Sequence, residues 1–274
     1  MSRHALPYLA AARVDGADAA AFLHAQLSAE VAGLAPGAST FACYLSPRGQ
    51  VLGLLLVGRR ADDYVLIASA ELLPGLLRRL GLYVLRAKVA FSPLPSRVVG
   101  IDDADCNGRD ARWNPGLGLV YGIAEEGPES DDSHVEAWKA MELGHGVAWL
   151  DARTSERFIP QMLGFDRIGA VSFKKGCYPG QEIVARARYL GNVKRGPLYL
   201  ALQGDEAPQA LRGAWPETGS GLSLIAGEEL ADATLIDLAV AADGRIRMRV
   251  VAPLVEWVPR EVELGGRRYG CATI

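Results

Sequence analysis

A thiol set among cations is the chemistry this sequence offers most openly, in the stretch from Phe173 to Arg195. Lys174, Lys175 and Gly176 lead into Cys177, and Tyr178, Pro179 and Gly180 follow it. Gln181 and Glu182 then open a run of helix formers that stops at Gly191, which predicts a short helix from about Gly180 to Leu190. Backbone N–H groups at a helix start point outward and favour negative charge. Together with the two lysines, they favour a thiolate at Cys177 more than an ordinary site does. Six basic residues (Lys174, Lys175, Arg186, Arg188, Lys194 and Arg195) face a single acid, Glu182, so an anion is the natural ligand of the stretch. Each feature also has a plainer reading. A lone cysteine is often a small buried hydrophobe, Glu182 and Arg186 at a spacing of four make a surface ion pair, and the cations can be a solvated face.

The elements around this stretch must come from a chain able to build a core. Half of its 274 residues are hydrophobic and its net charge is −3, which fits two or three domains and excludes a protein that coats nucleic acid or membrane non-specifically. Cys43, Cys106, Cys177 and Cys271 are far apart and form no C-x-x-C pair. That spacing argues against a disulfide framework or a zinc site and for a reducing compartment. Arg13, Asp15 and Asp18 interrupt the Ala-rich start before a signal peptide accumulates, and the longest apolar run, Val51 to Val57, has the length of a strand. The expectation is a soluble cytoplasmic protein with no membrane partner and no metal site.

Along the chain, Asp15 is placed to cap a helix over Ala17 to Gln26, and His24 on it reads as a packing histidine. Strands are expected at Thr40 to Leu45, Gln50 to Val57, Tyr64 to Ala68 and Arg86 to Phe91, with a helix over Glu71 to Leu85. Arg97 to Ile101 and Leu117 to Ile123 read as a strand pair, and the order predicts a ferredoxin-like α+β layer. The acidic loops Asp102 to Asp110 and Glu125 to Ser133 carry no assigned role. Val135 to Leu143 is a helix ended by Gly144-His145-Gly146, and a polar cluster with Asp151, Arg153 and Arg157 leads toward the thiol. After Arg195, short strands with turns about every ten residues, ending in a hairpin at Gly265-Gly266, predict a small antiparallel barrel.

The run Lys175-Gly-Cys-Tyr-Pro-Gly-Gln-Glu182 closely resembles the signature of the YgfZ-type folate-binding proteins, relatives of the glycine-cleavage T-protein, an aminomethyltransferase. Asp151-Ala152-Arg153, Phe158-Ile159-Pro160-Gln161, Val171-Ser172-Phe173 and Gly191-Asn192-Val193-Lys194-Arg195 are similar to that family's flanks, as is Val14-Asp15-Gly16-Ala17-Asp18 near the start. The resemblance implies a T-protein-like three-domain ring. Its parts would be a discontinuous folate-binding domain (1–45 and 120–195), a ferredoxin-like insert (46–119) and a C-terminal β-barrel (196–274). It also implies a tetrahydrofolate ligand and a role in assembling or repairing iron–sulfur enzymes, including ones that modify transfer RNA. Cys177 is the candidate reactive residue, and Lys174, Lys175, Gly176, Tyr178, Gly180, Gln181, Glu182 and Arg186 are the candidate folate-binding residues. Glu182 is either a mate for the pterin N–H groups or a support of the loop.

Where T-proteins carry an aspartate in a Gly-Gly-Ile-x-Asp-Asp run, this chain reads Arg48-Gly49-Gln50-Val51-Leu52-Gly53-Leu54. Without that carboxylate nothing there stabilises a developing iminium, which argues against aminomethyl transfer. Asn114-Pro115-Gly116 likewise replaces the Asp-Pro-Arg common in the YgfZ branch. The leading expectation is a folate-binding accessory factor whose partners are iron–sulfur enzymes or their assembly machinery. A folate-dependent one-carbon transferase or demethylase is the alternative. An RNA-binding module is the third and less favoured reading, because overall acidity and the lack of aromatics interleaved with the cations speak against it.

Overall fold

The computed structural model describes residues 3–101, 112–125, 131–191, 193–203 and 215–274. Five antiparallel strands form the first sheet: β2 (Leu9–Asp15), β3 (Ser39–Leu45), β4 (Val51–Arg59), β5 (Tyr64–Ser69) and β6 (Ala90–Pro93), in the order β3-β4-β5-β2-β6. β4 reads as a near-continuous apolar run because both of its faces are covered. On one side Leu55 and Val57 meet Leu23 of α1 (Ala19–Gln26) and Leu80 of α2 (Leu73–Gly81). On the other, Leu54 and Leu56 join a core that holds Trp113, Trp138 and Trp149. Full burial of each such leucine contributes about 2 kcal/mol, which makes this sheet the platform for what is built on it.

The second sheet, in the order β1-β7-β9-β8, pairs β1 (Arg3–Ala5), β7 (Arg97–Ile101), β9 (Val120–Ala124) and β8 (Arg112–Trp113). α3 (Asp132–Gly144) follows, capped by the Asp131 side chain on the Ser133 N–H and ended at His145, as the Gly-His-Gly signal predicts. Two short helices, α4 (Pro160–Leu163) and α5 (Gln181–Tyr189), lead to the C-terminal region. There β10 (Arg195–Leu202), β11 (Gly221–Ala226), β12 (Glu229–Val240), β13 (Ile246–Pro253), β14 (Glu261–Leu264) and β15 (Arg267–Thr273) close an antiparallel barrel around Leu200, Leu224, Leu235 and Val250. Closure removes the exposed edges that six short strands would otherwise present.

Several local expectations shift. Asp15 does not cap α1: it pairs with Arg13 at 3.3 Å, and the helix starts after Asp18, whose carboxylate accepts from the Lys88 N–H at 2.7 Å. Because residues 87–89 serve that contact, the strand expected from Arg86 starts only at Ala90. α2 stops at Gly81, since Leu82 and Leu85 have no inward face to offer and are 75% and 87% exposed. β3 and β4 form one hairpin across the limit expected at residue 45, and β7 pairs with β9 on one side and β1 on the other, outside the five-stranded sheet. The acidic loop at Asp102 to Asp110, most of the loop after Glu125, and Cys106 lie outside the described residues.

Candidate functional site

The segment before Cys177 is stitched to the first sheet. The Ser28 hydroxyl donates to the Ala170 carbonyl at 2.6 Å and accepts from the Cys43 N–H at 2.8 Å, and the Ser172 N–H donates to the Ser28 carbonyl. The Ser172 hydroxyl then accepts from the N–H groups of Lys174 and Lys175, which turns the chain. Lys175 points inward and is buried. Its ammonium donates to the His24 and Leu27 carbonyls at the end of α1, where helical carbonyls lack N–H partners. It also sits 5.0 Å from the centre of the Tyr178 ring. Burial draws the Lys175 pKa down to about 8, with Glu30 opposing, and burial pushes Tyr178 up to about 12. Between these inward anchors, Gly176 and Cys177 face solvent. Cys43 and Cys271 are buried, and desolvation raises both thiols, Cys271 to about 11 and Cys43 further.

α5 is pressed onto the β3–β4 turn, the passage that lacks the T-protein aspartate. Gly180 caps it with φ 78°, and a Cβ there would lie 2.5 Å from the Ser46 carbonyl oxygen and 2.8 Å from the Gly49 Cα. Gly49, at φ 72°, faces Ile183 in turn. The Gln181 side chain accepts from the Tyr178 N–H, and Gln161 of α4 donates to the Val184 carbonyl at 2.8 Å. Gly180→Ala therefore combines left-handed strain with a backbone clash, and we expect it to cost about 2–3 kcal/mol in urea unfolding. An unchanged midpoint would show that α5 does not depend on this contact.

Of the cations predicted as one patch, the structure separates two. Lys175 is turned into the protein, and Arg195 donates to the carbonyls of Asp232 and Val251 on the barrel. Lys174, Arg186, Arg188 and Lys194 remain exposed, as does Glu182. Arg188 lies over Phe173 at 5.2 Å, and Phe173 meets Tyr189 edge-on at 6.5 Å. Aromatics are thus interleaved with these cations, contrary to the expectation, because the fold brings Phe173 back against a helix sixteen residues further on.

A second feature is a cavity of about 350 Å³ lined by Tyr8, Ser69 to Glu71, Lys139, Trp149 to Asp151, Thr218 and Asp237, residues to which the sequence assigned no ligand contact. Its walls draw on the first sheet, α3 and the barrel, and none of the candidate residues from Lys174 to Arg186 lines it. Lys139 and Asp237 pair at 2.7 Å. Desolvation works to lower the Lys139 pKa, but Asp237, with Glu136 and Glu142, outweighs it and holds the ammonium. Burial likewise works to raise Asp151, yet hydrogen bonds from Thr218, Thr154 and two backbone N–H groups keep it below the ordinary carboxylate value.

Behind the cavity wall lies Glu142, 1% exposed. Its Oε1 accepts from Tyr121 at 2.7 Å, Trp149 at 2.9 Å and Trp138 at 3.3 Å, and its Oε2 accepts from Tyr8 at 2.8 Å. Burial pushes this carboxyl up to about 7 against the pull of the four donors. Tyr8 and Trp149 line the cavity, so Glu142 fixes two of its walls. One signal was present in the sequence: a glutamate on the inward face of α3, four residues after Trp138.

No family model matches the chain. It is 30% identical over 224 residues to an uncharacterized protein of Haemophilus influenzae, which covers 77% of this chain and 80% of that one. It is 29% identical over 280 residues to the tRNA-modifying protein YgfZ of an Enterobacter species, across 88% of this chain and 82% of the relative. The chain is a homologue of the YgfZ protein. In the crystal structure of the glycine cleavage system aminomethyltransferase T from Bartonella henselae, 17% identical, the same fold covers 99% of this chain and 84% of that one with a TM-score of 0.71. The mixed α+β chain with a terminal barrel, expected from the resemblance, is thus the fold observed. In this YgfZ homologue two places stand out: the exposed Cys177 loop and the cavity in front of Glu142.

Proposed function

We propose that the chain is a tetrahydrofolate-binding accessory protein for iron–sulfur enzymes, tRNA-modifying ones among them, with the ligand in the central cavity and the Cys177 thiol as its outward reactive group. The lining of the cavity carries this reading. A pterin is flat and presents adjacent N–H donors, and the cavity offers the rings of Tyr8 and Trp149 with the carboxylate of Glu71. The other two lining carboxylates are engaged, Asp237 by Lys139 and Asp151 by Thr218, Thr154 and two backbone N–H groups, which leaves Glu71 to meet such a head. When bound, the folate supplies a one-carbon carrier. The protein's own part is to hold the ring plane through Tyr8 and Trp149, both tethered to Glu142, and to present a thiol on a loop pinned at Lys175 and Gly180.

This assignment moves the folate contacts from the motif to the cavity. Lys175, Tyr178, Gly180 and Gln181 shape the thiol loop, Lys174, Glu182 and Arg186 are left to meet a partner, and Gly176 leaves the approach to the sulfur open. A one-carbon transferase stays the weaker alternative, because the β3–β4 turn is covered by α5 and brings no carboxylate.

The Arg188, Phe173 and Tyr189 cluster favours a second reading, contact with structured RNA through stacking and phosphate pairing. One titration separates the two. Tetrahydrofolate should bind saturably and with little dependence on salt, and Trp149→Ala should weaken it about a hundredfold. Transfer RNA that bound more weakly as salt rose, with no folate binding, would favour the RNA reading instead.

A further inference from the structure

At the rim of the cavity the turn at Glu217 to Ser220 is fastened to the segment from Asp151 to Arg157. Thr218 donates to the Asp151 carboxylate, and both line the cavity. On one side of Thr218, Arg153 Nη2 donates to Glu217 Oε1 at 2.9 Å. On the other, Arg157 Nη1 donates to the Gly219 carbonyl at 2.8 Å. Gly219 has φ 77°, and a Cβ there would come within 2.7 Å of Arg157 Nη1 and 3.0 Å of the Arg153 carbonyl oxygen, so both the left-handed turn and this close approach suit glycine. Arg157 is therefore committed to backbone, whereas Arg153 reaches a side-chain carboxylate in open water: the two side chains are 56% and 69% exposed.

We infer that Arg153 is a carboxylate-binding residue at the cavity mouth that takes the glutamate tail of a folate, and that Glu217 is an internal carboxylate competing for the same seat. The inference rests on the folate reading above. The cavity itself brings three carboxylates and a single ammonium already paired with Asp237, so an anionic tail has no partner inside. Arg153 stands two residues beyond the lining Asp151 and carries a planar fork suited to a carboxylate. Its present contact is one hydrogen bond in a solvated pair, which is weak and readily exchanged. Glu217 already shows that a carboxylate fits there.

Calorimetric titration of the full chain with tetrahydrofolate tests this with two variants. Arg153→Gln should weaken binding about tenfold, and Glu217→Gln should tighten it severalfold by freeing the arginine. The opposite signs separate a ligand seat from a merely structural pair, whose loss on either side would act in one direction. If the wild type binds tetrahydrofolate and both variants bind it equally well, or both bind it worse, the inference about Arg153 falls alone. If the wild type binds no tetrahydrofolate, the functional reading falls and this inference with it.

Discussion

Cys177→Ala should abolish rescue of cells lacking the native protein, while the purified variant should unfold at the same urea concentration as the wild type. The first outcome follows from exposure. Among the described cysteines, Cys177 alone faces solvent, and the buried Cys43 and Cys271, with thiols raised by desolvation, cannot replace it. The second follows from packing, since an exposed side chain between two inward anchors contributes within about 0.5 kcal/mol to stability. Full rescue by this variant would remove the thiol from the mechanism and leave the loop as scaffold.

Glu142→Ala is expected to be the most damaging single change in the chain. It strands the donors of Tyr121, Trp138 and Trp149, which are buried, and that of Tyr8, and it opens a void, for a loss of about 4–5 kcal/mol in urea unfolding. Glu142→Gln should be mild, because its amide oxygen keeps three donors and its NH₂ group can donate to Tyr8. The two also differ in pH dependence. The carboxyl's pKa is raised to about 7 in the folded chain, so the folded state binds its proton more tightly than the unfolded state does. Its contribution is fully present below the ordinary glutamate value and is lost as pH rises through 7, by roughly 3 kcal/mol. Wild-type stability should fall across that window, and Glu142→Gln should flatten the fall. An identical slope in the two proteins would contradict the assignment of this proton to Glu142.

What the sequence made legible was local. Pro179 and Gly180 at one end and Gly191 at the other marked α5 almost to the residue, and turn chemistry such as Gly265-Gly266 marked the barrel's hairpins. What it hid was closure over distance. The cage of Glu142 joins Tyr8 to a residue 134 positions away, and the cavity rim joins Thr218 to Asp151 across 67. No periodicity carries such pairings. Lys175 illustrates the same limit at short range: counted as one more surface cation, it proved to be the bolt between the thiol loop and the end of α1, because only the fold shows which lysine meets unpaired carbonyls. Phe173 and Tyr189 read as unrelated residues until α5 returned one to the other.

Hydrogen exchange read by mass spectrometry, with and without saturating tetrahydrofolate, asks directly where the ligand sits. The cavity assignment predicts slowed exchange in the separate segments that carry Tyr8, Ser69 to Glu71, Trp149 to Asp151 and Thr218. Protection confined to the stretch from Phe173 to Arg195, with those segments unchanged, would contradict it.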